Sequence, residues 1–134
     1  MDTTNAAITD SLKTFFNDYR EEVAAAYLFG SIARGTAKPG SDVDVAVLFS
    51  GEHQPSLLGP ETRLRGELER RLGRGVDLIA LNRAPPDLIH RVLRDGILLA
   101  VHDASARVRF EVDARNRYFD LLPHLKRYRE GVRT

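Results

Sequence analysis

Cysteine is absent from the 134 residues, so no disulfide can staple the chain. Long apolar runs are missing too: none approaches the roughly 18–20 residues that cross a bilayer. The opening Met1-Asp2-Thr3-Thr4-Asn5 has neither the basic start nor the apolar stretch of a secretory leader. These absences make the cytoplasm the expected compartment and argue against a membrane partner. No internal repeat, low-complexity tract or interdomain linker is visible. The formal net charge is only +1, which points neither toward nor away from nucleic acid. Its distribution is uneven, with 12 Lys/Arg against 15 Asp/Glu in residues 1–104 and 8 against 4 in residues 105–134. The basic tail reads as a solvated helical face or as a surface for an acidic partner or RNA. Direct nucleic-acid binding is not expected. The length suits one domain, 1–134, with a C-terminal helical extension at about 105–131 and no room for a second catalytic lobe.

Hydrophobic periodicity outlines the elements. Ile8, Leu12, Phe15, Phe16, Tyr19 and Val23 recur at helical spacing and predict an amphipathic helix over 4–22. Apolar runs at 24–29, 42–49, 76–81 and 97–101 read as four strands. Residues 50–59 read as a surface loop. Pro60 suits the first position of a helix carrying Leu64, Leu68 and Leu72, with Glu61/Arg65 and Glu67/Arg71 as supporting pairs. Pro85-Pro86 opens another helix that Gly96 stops. Val108, Val112, Phe119 and Leu122 mark one stripe of the last helix, and Tyr118, Leu121, Leu125 and Tyr128 a second, with Pro123 expected to kink or restart it. These elements define an α+β fold with a small mixed sheet flanked by helices.

The informative feature is Leu28-Phe29-Gly30-Ser31-Ile32-Ala33-Arg34-Gly35 followed by Ser41-Asp42-Val43-Asp44-Val45-Ala46-Val47. Alternation along a strand puts Asp42 and Asp44 on one face, with α-carbons roughly 7 Å apart, and Val43, Val45 and Val47 on the other. Paired acids resist joint ionisation unless a cation neutralises them, so the pair points to divalent metal. Gly30 lets backbone approach phosphates, Ser31 offers a hydroxyl and an N–H at a helix start, and Arg34 can place a guanidinium on phosphate oxygens. Ser41 is grouped with them on the nucleotide side. For turn and acids to share one site, the first two strands must be antiparallel. Asp77 then joins Asp42 and Asp44 only if the third strand runs parallel to the second, which gives the order 1-2-3 with strand 2 central. Two Mg²⁺ ions about 3.5–4 Å apart in such a site would support in-line displacement at phosphorus, with Asp44 bridging them and orienting the nucleophile.

Gly30-Ser31, then Asp42-Val43-Asp44, with Ala33-Arg34-Gly35 between and Val76-Asp77-Leu78 downstream, resembles the DNA polymerase β type nucleotidyltransferase superfamily. In its short length the chain is similar to the minimal nucleotidyltransferases, the MNT antitoxins encoded beside HEPN partners in toxin–antitoxin modules. The resemblance implies a nucleotidyltransferase in which Asp42, Asp44 and Asp77 hold Mg²⁺ and the Gly-Ser turn holds ATP. It further implies that AMP passes to a tyrosine of a cognate HEPN ribonuclease toxin, which is thereby silenced. No motif residue is missing.

Blander readings stand beside these. An Asp-x-Asp can simply protect a strand edge, Asp77 can be an ordinary strand-entry acid, and Arg34 a surface ion pair. Gly73-Arg74-Gly75 reads as a turn. His53, His90, His102 and His124 show no metal-ligand spacing, and Arg117 with His124 matches an Arg-x4-6-His pattern only by chance. Tyr118, Phe119, Leu122 and Leu125 are core or a docking face. Two rival functions remain: an antitoxin that acts by steric binding alone, and nucleotidyl transfer to a small hydroxyl compound of the aminoglycoside type. The latter usually requires a further helical domain to enclose the acceptor.

Overall fold

The computed structural model describes residues 2–51 and 59–132, with side chains over 5–51 and 59–123. His53 and most of the expected 50–59 loop, together with the side chains of His124, Leu125 and Tyr128, lie outside the described residues. In chain order the elements are α1 (Asp2–Asp18), β1 (Val23–Phe29), α2 (Gly30–Arg34), β2 (Val43–Phe49), α3 (Pro60–Leu72), β3 (Val76–Ala80), α4 (Pro86–Asp95), β4 (Ile97–Val101) and α5 (Ala104–Val132). A 3-10 turn at Leu81–Arg83 joins β3 to α4.

The four strands form one mixed sheet in the order β3-β2-β1-β4. β1 pairs antiparallel with β2, and β2 pairs parallel with β3, as the site required. The fourth strand, unplaced by sequence, lies antiparallel against β1, so β1 and β2 are both interior. Both are therefore apolar on both faces: five of seven β1 residues are Ala, Val or Leu, and β2 alternates Val43, Val45 and Val47 with Ala46 and Leu48. One layer of core joins Leu12 and Phe16 of α1 and Leu64 and Leu68 of α3 to Val43, Val45 and Val47. The opposite layer joins Ile89 and Val92 of α4 and Ala114 of α5 to Tyr27, Ala46 and Leu48.

Three expectations need correction. α1 ends at Asp18, and Val23 belongs to β1, because the chain reverses through Glu22, whose φ of 62° no right-handed helix permits. Glu61 pairs with Arg83 across the fold instead of with Arg65 along its own helix. Pro123 does not interrupt α5, which continues as one helix to Val132. By contrast, Pro60 is the first residue of α3, and Gly73, in the left-handed conformation, ends it.

Two polar contacts lock the layers. Tyr27 donates its hydroxyl to Glu111 Oε2 at 2.7 Å, and Arg107 Nε donates to the same oxygen at 2.6 Å, fastening α5 to β1. Burial, then the bond to Glu111, pushes the Tyr27 hydroxyl well above its ordinary pKa. Asn82 accepts the Phe49 N–H at 2.8 Å and donates to the Phe49 carbonyl at 2.9 Å, closing the far end of β2.

Candidate active site

β1 runs directly into α2, and β2 begins beside that junction: Phe29 is the register partner of Asp44. Asp44 is in turn the register partner of Asp77 on the parallel strand β3. Neighbouring strands lie about 4.8 Å apart, so these two acids share one face at one sheet end, well inside the reach of a common ligand. Asp42 precedes β2 by one residue and is exposed. Asp44 shares its face of β2 with Ala46 and Leu48, and so opens on the side of the sheet covered by α4 and α5.

Gly30 has φ of 77°, and a Cβ placed there would lie 2.8 Å from Asp44 Cγ. Only glycine admits both that backbone and that closeness. α2 then closes over Gly35, whose N–H bonds the Ile32 carbonyl at 3.2 Å, while Thr36 N–H bonds the Ser31 carbonyl at 2.9 Å. Ser31 is half-buried at the start of this turn, and Arg34 stands exposed at its end. Among the described residues Arg34 makes no ion pair, yet its charge reaches both Asp44 and Asp95. Ser41 closes a turn: its hydroxyl accepts the Lys38 N–H at 3.0 Å, and its own N–H bonds the Lys38 carbonyl at 3.0 Å.

Burial raises the proton affinity of the Asp44 carboxyl, the charges of Asp77 and then Asp42 raise it further, and Arg34 opposes them. Asp44 thus lies within the field of both other acids. Among the described residues no three Asp, Glu or His side chains already converge as closely as a metal cluster requires. Donor chemistry and backbone placement nonetheless fit divalent ions: three carboxylates, two of them in register, with Asp42 and Asp77 exposed and free to rotate.

Two residues read from sequence as a mere turn belong to this site. Gly75 accepts the Val43 N–H at 3.0 Å, and a Cβ on Gly75 would lie 2.5 Å from Asp42 Oδ1. Arg74 donates to the Ser41 carbonyl, the peptide that leads into Asp42. The signal was present as a glycine abutting the Val-Asp strand, but its partner across the parallel pair could not be seen without the register.

Comparison with known proteins agrees with this geometry. Residues 10–105 match the family described as Polymerase beta, Nucleotidyltransferase. The chain is 43% identical over 75 residues to a Methanocaldococcus jannaschii protein named "Putative protein adenylyltransferase", covering 56% of this chain and 77% of that one. It is similar to a toxin–antitoxin crystal structure with AMP-PNP, with TM-score 0.76, 25% identity, and coverage of 94% of this chain and 98% of the other. It shares the fold of a chain in the complex of tri-AMPylated Shewanella oneidensis HEPN toxin with MNT antitoxin, with TM-score 0.70, 22% identity and 100% of each chain covered. A family match across most of the length, meeting an acid pair and glycine turn that the fold brings together, places this chain in the polymerase beta nucleotidyltransferase family.

Proposed function

We propose that this chain is a cytoplasmic, Mg²⁺-dependent antitoxin that transfers AMP from ATP to a tyrosine of a cognate HEPN ribonuclease toxin. The reading rests on one observation: Asp44 abuts Gly30 on one side and stands in register with Asp77 on the other. The glycine turn and two of the acids thus meet at one point. The similar chains that occur with a HEPN toxin, with AMP-PNP and with AMPylated product support the choice of nucleotide and acceptor.

In this reading Asp42, Asp44 and Asp77 hold the divalent ions, and Gly30, Ser31 and Arg34 face the triphosphate. Ser41 supports Asp42 through its turn. Divalent ions bound there would neutralise the three acids and supply positive charge to the attacking oxygen and the leaving pyrophosphate. Gly30 brings backbone against the phosphates without a side chain, and Arg34 supplies a guanidinium. Asp44 orients the incoming hydroxyl. The tyrosine oxygen bonds to the α-phosphorus as the bond to the bridging oxygen of the β-phosphate breaks. Pyrophosphate departs, and the hydroxyl proton passes to solvent.

Incubation with α-labelled ATP, Mg²⁺ and the HEPN protein encoded nearby is expected to label a toxin tyrosine, and Asp44→Asn is expected to abolish the label. An unlabelled toxin beside an active control enzyme refutes the proposal. A second reading, inhibition by binding alone, is favoured by the exposed apolar side chains of α5. It requires Asp42→Asn/Asp44→Asn to neutralise the toxin as well as wild type does.

A further inference from the structure

The face that α5 turns to the sheet is neither of the two apolar stripes read from its sequence. Ala106, Phe110 and Ala114 pack toward the sheet and α4. On the outer side Val108, Val112 and Phe119 are 58%, 48% and 59% exposed. With Arg115 and Leu122 they follow the steps 4, 3, 4 and 3 along the helix, which is the spacing of a coiled-coil seam. A seam of that period matches another α-helix. It offers on the order of 300 Å² of apolar surface, the size of the largest patch on a typical monomer, which is often functional.

We infer that this outer seam docks a helix of the acceptor protein, and that the docked helix carries an aspartate or glutamate facing Arg115. The inference rests on the protein-acceptor reading above. Charge selects the occupant. Arg107 and Arg117 are paired within α5, with Glu111 and Asp113, whereas Arg115 has no ion-pair partner among the described residues. Arg115 sits at the midpoint of the 108–122 seam. Pairing with a second copy, parallel or antiparallel about a twofold axis, therefore sets Arg115 against Arg115, and like charges facing each other are repelled. The seam is also far below the ~800 Å² per partner of a stable self-complex. A different chain with an acid at the centre removes the repulsion, and one that also reaches the groove between α4 and α5 adds area beyond the seam.

Position favours the acceptor as that chain. α5 covers the same face of the sheet on which Asp44 opens. Between α4 and α5 runs a groove of about 260 Å³ lined by His90, Arg94, Arg115, Tyr118 and Phe119. At the end of α4, Asp95 lies within the field of Arg34 of the glycine turn. A protein seated on the seam thus extends along the groove toward the acids.

The test measures affinity for the HEPN protein, by calorimetry, alongside AMP transfer. Arg115→Glu and Val112→Asp are each expected to weaken binding at least tenfold, and to slow transfer at limiting toxin, while melting temperature stays within about 2 °C because both side chains are exposed. Arg65→Glu, on exposed α3 across the sheet, is the control and is expected to bind as wild type does. A photo-crosslinker at Phe119 should capture an acid-bearing helix of the toxin. If wild type binds and labels the toxin while both seam variants bind equally well, the docking inference falls and the adenylyl-transfer reading stands. If the seam variants lose binding but wild type transfers no AMP, the transfer reading falls and the docking site stands. Crosslinking between two copies of this chain overturns the inference.

Discussion

Replacing Gly75 by alanine should separate catalysis from stability. The new Cβ would meet Asp42 Oδ1 at 2.5 Å and Cγ at 3.3 Å. Non-bonded heavy atoms settle at about 3.5 Å or more, so the Oδ1 atom at 2.5 Å must retreat by roughly 1 Å. Asp42 is exposed and can do so by turning about its own side-chain bonds, without moving the core. Gly75 has no left-handed backbone, so alanine adds no strain there, and a stiffer unfolded chain contributes about 0.4–1 kcal/mol in favour of folding. A displacement of ~1 Å in a group that holds reacting atoms costs on the order of 100-fold in rate. The expected signature is AMP transfer reduced by about two orders of magnitude, a higher Mg²⁺ requirement, and a melting temperature no lower than wild type. Gly30→Ala makes the contrast: its φ of 77° adds about 1–2 kcal/mol of strain, so it should lose both activity and several degrees of melting temperature. Gly75→Ala enzyme that retains more than half the wild-type rate would refute the claim that this glycine sets the position of Asp42.

Asp44→Asn should melt higher than wild type at pH 7. The folded protein holds the Asp44 proton more tightly than the unfolded chain does, so its contribution favours the fold when protonated and is lost as pH rises through the raised value. Melting curves should therefore converge as pH falls through that value toward the unfolded one of about 3.9, and a less stable Asn variant at pH 7 would contradict the electrostatic account. Tyr27→Phe removes one donor from Glu111 while Arg107 remains, and should cost about 1 kcal/mol in urea denaturation; no change would mean that the hydroxyl does not fasten α5. Leu64→Ala, at a fully buried position between α3 and the sheet, should cost about 2–5 kcal/mol by the same measurement, and a loss under 1 kcal/mol would show that this layer is not close-packed.

Local chemistry made much of this protein readable in advance. Pro60 and Gly73 bound α3 because a fixed φ suits a helix start and a left-handed residue suits its end. Asp42, Val43 and Asp44 announced their facing because side chains alternate along any strand. The parallel pairing of β2 and β3 followed from demanding that Asp77 reach the same sheet end. What local rules could not supply were relations between segments distant in the chain. The place of β4 against β1, the end of α1 at Asp18 and the pairing of Glu61 with Arg83 each depend on which neighbour is nearer once the layers pack.

The same division runs through the site. Spacing along the chain pointed to Gly30, Asp42 and Asp44 as candidates, and the resemblance to the nucleotidyltransferases added Asp77. Gly75 and Arg74 acquired a role only when β3 came alongside β2 and set the residues before Asp77 against those before Asp44. Likewise, both stripes of α5 were visible as apolar periodicity, but periodicity assigns no partner. The buried face is instead Ala106, Phe110 and Ala114, outside both stripes; it is fixed where Glu111 of α5 meets Tyr27 of β1, and it leaves Val108, Val112 and Phe119 to solvent.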